Sequence, residues 1–335
     1  MYVDTSGVLR ISTNDGVTLT TVSGVALGNN SPGVVYCGNS VFLAFTLTSF
    51  YKSTDNGATW VLATTVFPGG GSFILQCANS NGLGIVLIGC VSGSSGYVLR
   101  STSYGVDWQL GGIPSTSSVL AIGVGKDGKA FAIATATGSS PVNFNLYYSL
   151  TYGTNPWVLK PGIPNATGSS KLASVETDGS NIWVVNMITT AYRIGNNGDG
   201  SPLALPVSGK VATDKNGTWL VGANVSTNDA IDFATANLAS PVPSSSSASR
   251  LGTFMVGATA GLLRRSVPTF PYDSATQFAV PNITSPVGVK SYIKAREAAS
   301  LLFISGISVG CCLELWRWTT QGQYRSAAQQ ASRPS

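Results

Sequence analysis

A chain of 335 residues with 43% hydrophobic side chains can bury a sizeable core, and only 10% of it is charged, with 39 Gly and 16 Pro. That composition excludes a charge-rich disordered chain, and no 3.6-residue apolar period rich in Leu, Glu and Lys points to a helical bundle. With no histidine, a Ser-His-Asp or Cys-His nucleophile cannot be assembled within the chain, and the commonest metal ligand is missing.

The first element is a hairpin, Gly7 to Val22, patterned like the third and fourth strands of a sheet with no inner strands before it. Seven runs of β-forming residues follow, each entered from a turn carrying Gly, Asn, Asp or Ser. They begin at Val41 (VFLAFT), Gly84 (GIVLIG), Lys129 (KAFAIAT), Asn181 (NIWVVNM), Thr218 (TWLVGA), Thr253 (TFMVGA) and Ser300 (SLLFIS). The pattern returns about every 43 residues, the period of a β-propeller blade, where one four-stranded unit cannot bury its own faces and must pack on its neighbours. The expectation is therefore an all-β single propeller over residues 1–320, of seven blades with six or eight as alternatives. Pro241 to Ser249 (PVPSSSSAS) falls inside this register as a loop or a poor inner strand. The last unit has strands near Val287 to Ile293, Ser300 to Ile304 and Cys312 to Thr319, so the N-terminal hairpin is expected to pair with it and close the ring. Residues 321–335 (QGQYRSAAQQASRPS) read as a polar tail.

A second signature follows the apolar run. In the clearest copy, Ser53-Thr54-Asp55-Asn56-Gly57-Ala58-Thr59-Trp60 follows Phe50-Tyr51-Lys52. The Asp side chain can accept hydrogen bonds from turn amides, Gly supplies a positive φ, and the Trp folds back over the hairpin. Degenerate copies stand in register: Ser101, Gly105 and Trp108 with Ser103 in the Asp place; Ser149 and Gly153 with Trp157 one residue late; and Ser12 to Leu19, which has Leu19 where the Trp would be. Later repeats keep the hairpin shape alone, at Tyr192 to Gly200, Ile231 to Leu238 and Leu262 to Phe270. The string resembles the Asp-box (BNR) repeat, Ser-x-Asp-x-Gly-x-Thr-Trp, of sialidase-type and other propellers, which implies a structural turn between the third and fourth strands of a blade.

A sialidase would need an arginine triad, a Tyr-Glu nucleophile pair and an acid/base Asp. The nearest string to its Phe/Tyr-Arg-Ile-Pro motif, Tyr192-Arg193-Ile194-Gly195, lacks the Pro and lies mid-chain, and only three glutamates exist, Glu176, Glu297 and Glu314. No catalytic residue, cofactor site or metal site is assigned. Gly69-Gly70-Gly71 lacks the following Lys and helix of a phosphate loop and reads as an inter-blade turn. Tyr147, Tyr148, Trp316 and Trp318 could stack on sugar, though alternate aromatics on strands usually pack between blades.

Five cysteines (Cys37, Cys77, Cys90, Cys311, Cys312) show no CxxC spacing and read as buried thiols. Five Asn-x-Ser/Thr sequons start at Asn29, Asn165, Asn216, Asn224 and Asn282; with no signal-peptide pattern at the N-terminus, they are accidents of a Ser/Thr-rich chain, which is expected to be made in a cytoplasm. Ala298 to Leu313 is apolar but too short and too interrupted to span a membrane. The net charge of +5 is uneven: residues 250–335 hold nine basic and three acidic side chains and the remainder nets −1. Arg317, Arg325 and Arg333 are the candidate partner-binding residues of that basic side. Basic residues without an interleaved aromatic platform do not make a nucleic-acid site.

A charge-poor, histidine-free, Gly/Ser/Thr/Asn-rich propeller with decayed Asp-boxes resembles the tail and host-adhesion proteins of bacteriophages. That resemblance implies a non-enzymatic virion protein, in the tail, docking other virion proteins and a host surface glycan. A bacterial assembly scaffold, similar to photosystem-assembly Asp-box proteins, is the alternative, and a glycosidase the third reading.

Overall fold

Each repeat run is apolar at successive rather than alternate positions, and a strand of that kind must be covered on both faces. In the computed structural model the first five runs become the second strands of small antiparallel sheets, buried at nearly every position. The structure describes residues 1–235 apart from 4–6, 14–17, 29–32, 64–66, 69–71, 115, 139–142, 155, 168–172 and 180. Beyond 235 it describes the strands 243–248, 254–258, 263–265, 302–306, 313–318 and 324–326. The chain divides into two compact units, Met1–Pro268 and Thr269–Ser335.

The first unit opens with a three-stranded sheet, β1 (Tyr2–Val3), β2 (Val8–Ile11) and β3 (Thr20–Ala26). Blade 1 follows as β4 (Gly33–Gly38), β5 (Val41–Phe45), β6 (Phe50–Ser53) and β7 (Val61–Leu62). Blade 2 is β8 (Ile74–Ser80), β9 (Val86–Ser92), β10 (Ser95–Ser101) and β11 (Gln109–Gly112). Blade 3 is β12 (Thr116–Val124), β13 (Ala130–Ala136), β14 (Asn143–Ser149) and β15 (Val158–Leu159), with β16 (Ala166–Thr167) as a further partner of β14. Blade 4 is β17 (Ser174–Thr177), β18 (Trp183–Asn186), β19 (Ala191–Ile194) and β20 (Pro202–Ala204). Blade 5 is β21 (Val211–Thr213), β22 (Trp219–Val221), β23 (Asn224–Ser226) and β24 (Ala234–Thr235). A three-stranded sheet, β25 (Pro243–Ala248), β26 (Phe254–Ala258) and β27 (Leu263–Arg265), ends the unit. The second unit contains β28 (Leu302–Gly306), β29 (Leu313–Trp318) and β30 (Tyr324–Ser326).

The core lies between successive sheets. Leu43, Phe45 and Phe50 of blade 1 meet Leu75, Ile88, Leu99 and Trp108 of blade 2. Leu87 and Val98 meet Val119, Ala132 and Trp157 across the next seam. Phe131 and Ile133 meet Val175, Trp183 and Val185 across the third, with the Phe131 and Trp183 rings 4.7 Å apart. Ile182 and Val184 meet Val211, Trp219 and Val221 across the fourth. The N-terminal sheet packs Leu9 and Leu27 on Ala44 of blade 1.

This is an all-β propeller, but among the described residues five sheets have four strands or more, not the seven expected. The Thr253 run forms the middle strand of a three-stranded sheet, and the Ser300 run is an edge strand of another. A β-forming run specifies a strand, whereas a fourth strand depends on what the following turn pairs with. The Pro241 to Ser249 stretch contains β25, paired with β26. The ring closure expected between the N-terminal hairpin and the last blade lies outside the described residues, as do Val287 to Ile293 and Gly69 to Gly71. Tyr324–Ser326 of the expected tail is a strand paired with β29.

Candidate functional site

The residues of the Asp-box-like string in blade 1 form one bonded unit after β6. Ser53 Oγ accepts from the Gly57 N–H at 2.8 Å and donates to Asp55 Oδ1 at 2.8 Å. Asp55 accepts from the Thr59 N–H and, at 2.6 Å, from the Thr59 hydroxyl. These donors favour the charged carboxylate and, led by the Thr59 hydroxyl, lower the Asp55 pKa to about 2. Trp60 donates its indole N–H to Gly57 O at 3.0 Å. Asn56 and Gly57 both hold positive φ, 59° and 86°, a conformation that favours glycine at the second position.

The degenerate copies keep different parts of this unit. In blade 2, Ser101 Oγ accepts from Gly105 N–H at 2.9 Å and Ser103 Oγ takes the aspartate's place, accepting from Asp107 N–H at 2.8 Å. Trp108 is buried against Phe50 and Phe67, but its indole N–H has no partner among the described residues. In blade 3, Ser149 donates to Thr154 O at 2.8 Å and Trp157 donates to Gly153 O at 3.1 Å, so the extra residue is absorbed without losing the indole bond. A fifth copy precedes the Ile231 hairpin, where the sequence pattern marks the hairpin shape alone: Ser226 donates to Asn228 Oδ1 at 2.8 Å, and Asn228 Oδ1 accepts from Asp232 N–H at 3.0 Å. The signal was Ser-x-Asn at the Ser-x-Asp spacing, hidden by Ala230 in the Gly place and Phe233 in the Trp place.

One bond unites all five blades. The N–H of Asn56, Tyr104, Tyr152, Asn197 and Asp229 donates to the carbonyl of Ser40, Gly84, Gly128, Asn181 and Gly217 respectively. Each donor has positive φ, and each acceptor lies in the turn between the first two strands of the same blade. The turn is thus a staple across one end of each sheet, which requires no particular side chain and explains how the box decays without losing the blade. The Asn14 to Val17 part of the first copy lies outside the described residues.

The first strands of the blades converge. Asn79 on β8 donates to Glu176 on β17 at 3.5 Å, reaching from blade 2 to blade 4 past blade 3. Such a bond requires the blades to stand around a common axis. Burial pushes the Glu176 carboxyl up, opposed by Lys215 and the Asn79 bond. Lys210 donates to Ala173 O at 2.7 Å, and its own burial holds its pKa down. Cys77 on the same wall donates to Val119 O at 3.6 Å, and burial pushes its thiol up to about 12. Cys37 and Cys90 are buried, and burial raises each to about 12 as well, so all three are inert at neutral pH.

Two further lysines, assigned no site role from sequence, fasten blade 3 to the turn of blade 4. Lys129 donates to Asn197 O at 2.6 Å and pairs with Asp199 at 2.9 Å. Lys160 donates to Gly198 O at 2.8 Å, lies 5.8 Å over the Tyr148 ring, and has its pKa lowered chiefly by burial. Asp127 accepts from the Asn197 amide. Arg193, the residue of the sialidase-like string, donates to Asp229 O at 2.8 Å and so ties blade 4 to blade 5. Tyr147 is buried, and Tyr148 packs against Phe131, so both serve blade seams. Arg317 and Arg325 are register partners across β29 and β30, while Arg333 lies outside the described residues.

A cleft of about 310 Å³ opens in blade 2 between Ser95–Tyr97, Gly112–Pro114 and Thr137. It lies at the end of the sheet opposite the stapled turns, by the hairpin joining β9 to β10. Its lining carries no charged residue. Exposed apolar side chains recur on the outermost strands: Val61 and Leu62 in blade 1, Leu110 in blade 2, Val158 and Leu159 in blade 3, Leu203 in blade 4. Among the described residues no helix is long and apolar enough to cross a membrane.

No protein-family model matches the sequence, and no curated protein matches it. Similarity to solved structures is clear in fold. A YCF48 structure with bound D1 peptide matches with a TM-score of 0.54 at 14% identity, over 81% of this chain and 89% of that one. A catalytically inactive virginiamycin B lyase from Staphylococcus aureus, solved with quinupristin, matches with a TM-score of 0.54 at 10% identity, over 78% and 87%. An ancestral GH74 enzyme matches with a TM-score of 0.50 at 14% identity, over 90% of this chain and 46% of that one. At these identities the likeness establishes the propeller architecture.

Proposed function

We propose that this chain is a non-enzymatic docking propeller, a rigid ring that holds other protein chains in a multi-copy assembly. The observation that carries this reading is the apolar rim: equivalent outer-strand positions of blades 1, 2 and 3 expose Leu62 (49%), Leu110 (38%) and Leu159 (51%), on a surface poor in charge. Apolar side chains repeated around one edge are what a flat protein partner covers. A propeller of similar fold has been solved with a peptide bound, which supports a protein partner. The assembly is a bacteriophage tail or host-adhesion device, and the chain's place is the virion; the support is its histidine-free, Gly/Ser/Thr-rich composition and its decayed boxes. A host glycan is a secondary ligand of such a device.

The test is a pair of charge substitutions on the rim, Val158→Lys with Leu159→Lys, compared with the unaltered chain for incorporation into purified phage particles. The expected result is an unchanged melting temperature with incorporation lost. Full incorporation of the double variant refutes the rim as the docking surface, and absence of the unaltered chain from particles refutes the virion setting. Turnover of an aryl glycoside abolished by Glu176→Gln refutes the non-enzymatic reading.

A further inference from the structure

Strands β10 and β14 are each seven residues long and each end on the box serine, Ser101 and Ser149. They therefore correspond position by position, Ser95 with Asn143 and Gly96 with Phe144. In blade 3 the outer side of β14 is filled twice. Val158–Leu159 pairs with Tyr147–Tyr148, and Ala166–Thr167 pairs with Asn143–Phe144. In blade 2 the outer strand β11 pairs with Tyr97 to Arg100 only. Ser95 and Gly96 have no fourth-strand partner among the described residues.

Chain length explains the difference. After Leu159, residues 160–173 intervene before β17, enough to send Ala166–Thr167 back along the sheet. After Gly112, residues 113–115 lead straight into β12, too few for a returning strand. The uncharged cleft lies at this unfilled place, bounded by Ser95, Gly96, Tyr97 and Gly112. A Cβ built on Gly112 would meet nothing within 4 Å, so the sheet face at the end of the outer strand, beside the cleft, is open.

We propose that the cleft of blade 2 is a β-addition site that takes an extended, uncharged, small-residue peptide strand from another chain, paired antiparallel with Ser95–Gly96. The molecule supplies the template for the occupant, since Ala166–Thr167 fills the corresponding place in blade 3. Backbone pairing gives affinity without demanding particular side chains, and the uncharged lining disfavours a charged segment at this position. The site rests on the docking reading and adds to it a second, edge-on mode of attachment.

The probe is a labelled synthetic peptide of this chain's own residues Ile163 to Gly168 (IPNATG), titrated against the full chain with fluorescence anisotropy and amide hydrogen exchange. Slowed exchange is expected at Gly96, whose N–H faces the outer edge, whereas the Ser95 N–H faces β9. Gly112→Leu, which the open space and ordinary φ of Gly112 accommodate, should weaken binding by at least about tenfold with the melting temperature unchanged. Thr137→Trp, at an exposed position on the opposite lip, gives the same loss by a second route. The rim variant Val158→Lys/Leu159→Lys should bind the peptide as before, which separates failure of this site from failure of the rim. Binding unaffected by both cleft variants, protection on other strands instead, no binding of the peptide, or a dimer of the chain broken by Gly112→Leu would each overturn the proposal.

Discussion

Trp157→Ala tests whether the degenerate boxes still hold the blades together. Trp157 is 3% exposed, packs with Leu87 and Val98 in the seam between blades 2 and 3, and donates its indole N–H to Gly153 O at 3.1 Å. A buried indole removes roughly 200 Å² of apolar surface from water, worth about 5 kcal/mol at ~25 cal/mol per Å². Measured Trp→Ala losses in cores run about 3–5 kcal/mol. Trp60, in the best-matching box, is only half-buried, against the N-terminal sheet. Its removal should cost about half as much. The assay is urea unfolding of both variants, accepting the comparison where the m-value is unchanged. Trp157→Ala should lower the midpoint more than Trp60→Ala. The reverse order would show that match to the box consensus, rather than seam burial, sets the energetic weight of these turns.

Asp55 has its pKa lowered to about 2, so the stability it supplies is present above the ordinary value of 3.8 and is lost as pH falls through about 2. The stability difference between the unaltered chain and Asp55→Asn should therefore shrink across that window in acid-unfolding curves. Glu176 has its pKa raised, so it favours the fold below its ordinary value of 4.5, and that contribution is lost as pH rises through the folded value. Glu176→Gln should flatten this decline in melting temperature on the alkaline side of 4.5, and an unchanged profile would place the carboxyl in water. Gly198 holds φ of +85° and its absent Cβ lies 2.7 Å from the Phe131 ring, so Gly198→Ala should cost about 1–3 kcal/mol by thermal melting.

The repeat made the architecture legible because a period of about 43 residues with continuous apolar runs has few other solutions. The runs at Val41, Gly84, Lys129, Asn181 and Thr218 became second strands, since a run apolar at every position carries its own requirement for cover on both faces. The Ser53 to Trp60 turn was equally legible, because its bonds join residues at most four apart.

Tertiary structure alone decided the rest. The blade 5 turn at Ser226 to Asp232 was legible only as a hairpin, because Ala230 and Phe233 stand in the Gly and Trp places while its main-chain staple to Gly217 needs no particular side chain. Glu176, Lys210, Lys129 and Lys160 look like scattered surface charges in a charge-poor chain. Their partners, Asn79, Ala173, Asn197 and Gly198, lie 37 to 97 residues away and meet them only once the sheets are arranged around an axis. Blade count and the open edge at Ser95–Gly96 were hidden for the same reason. Whether an outer place is filled depends on where a linker returns in space, and a sequence period fixes the spacing of strands but not the path between them.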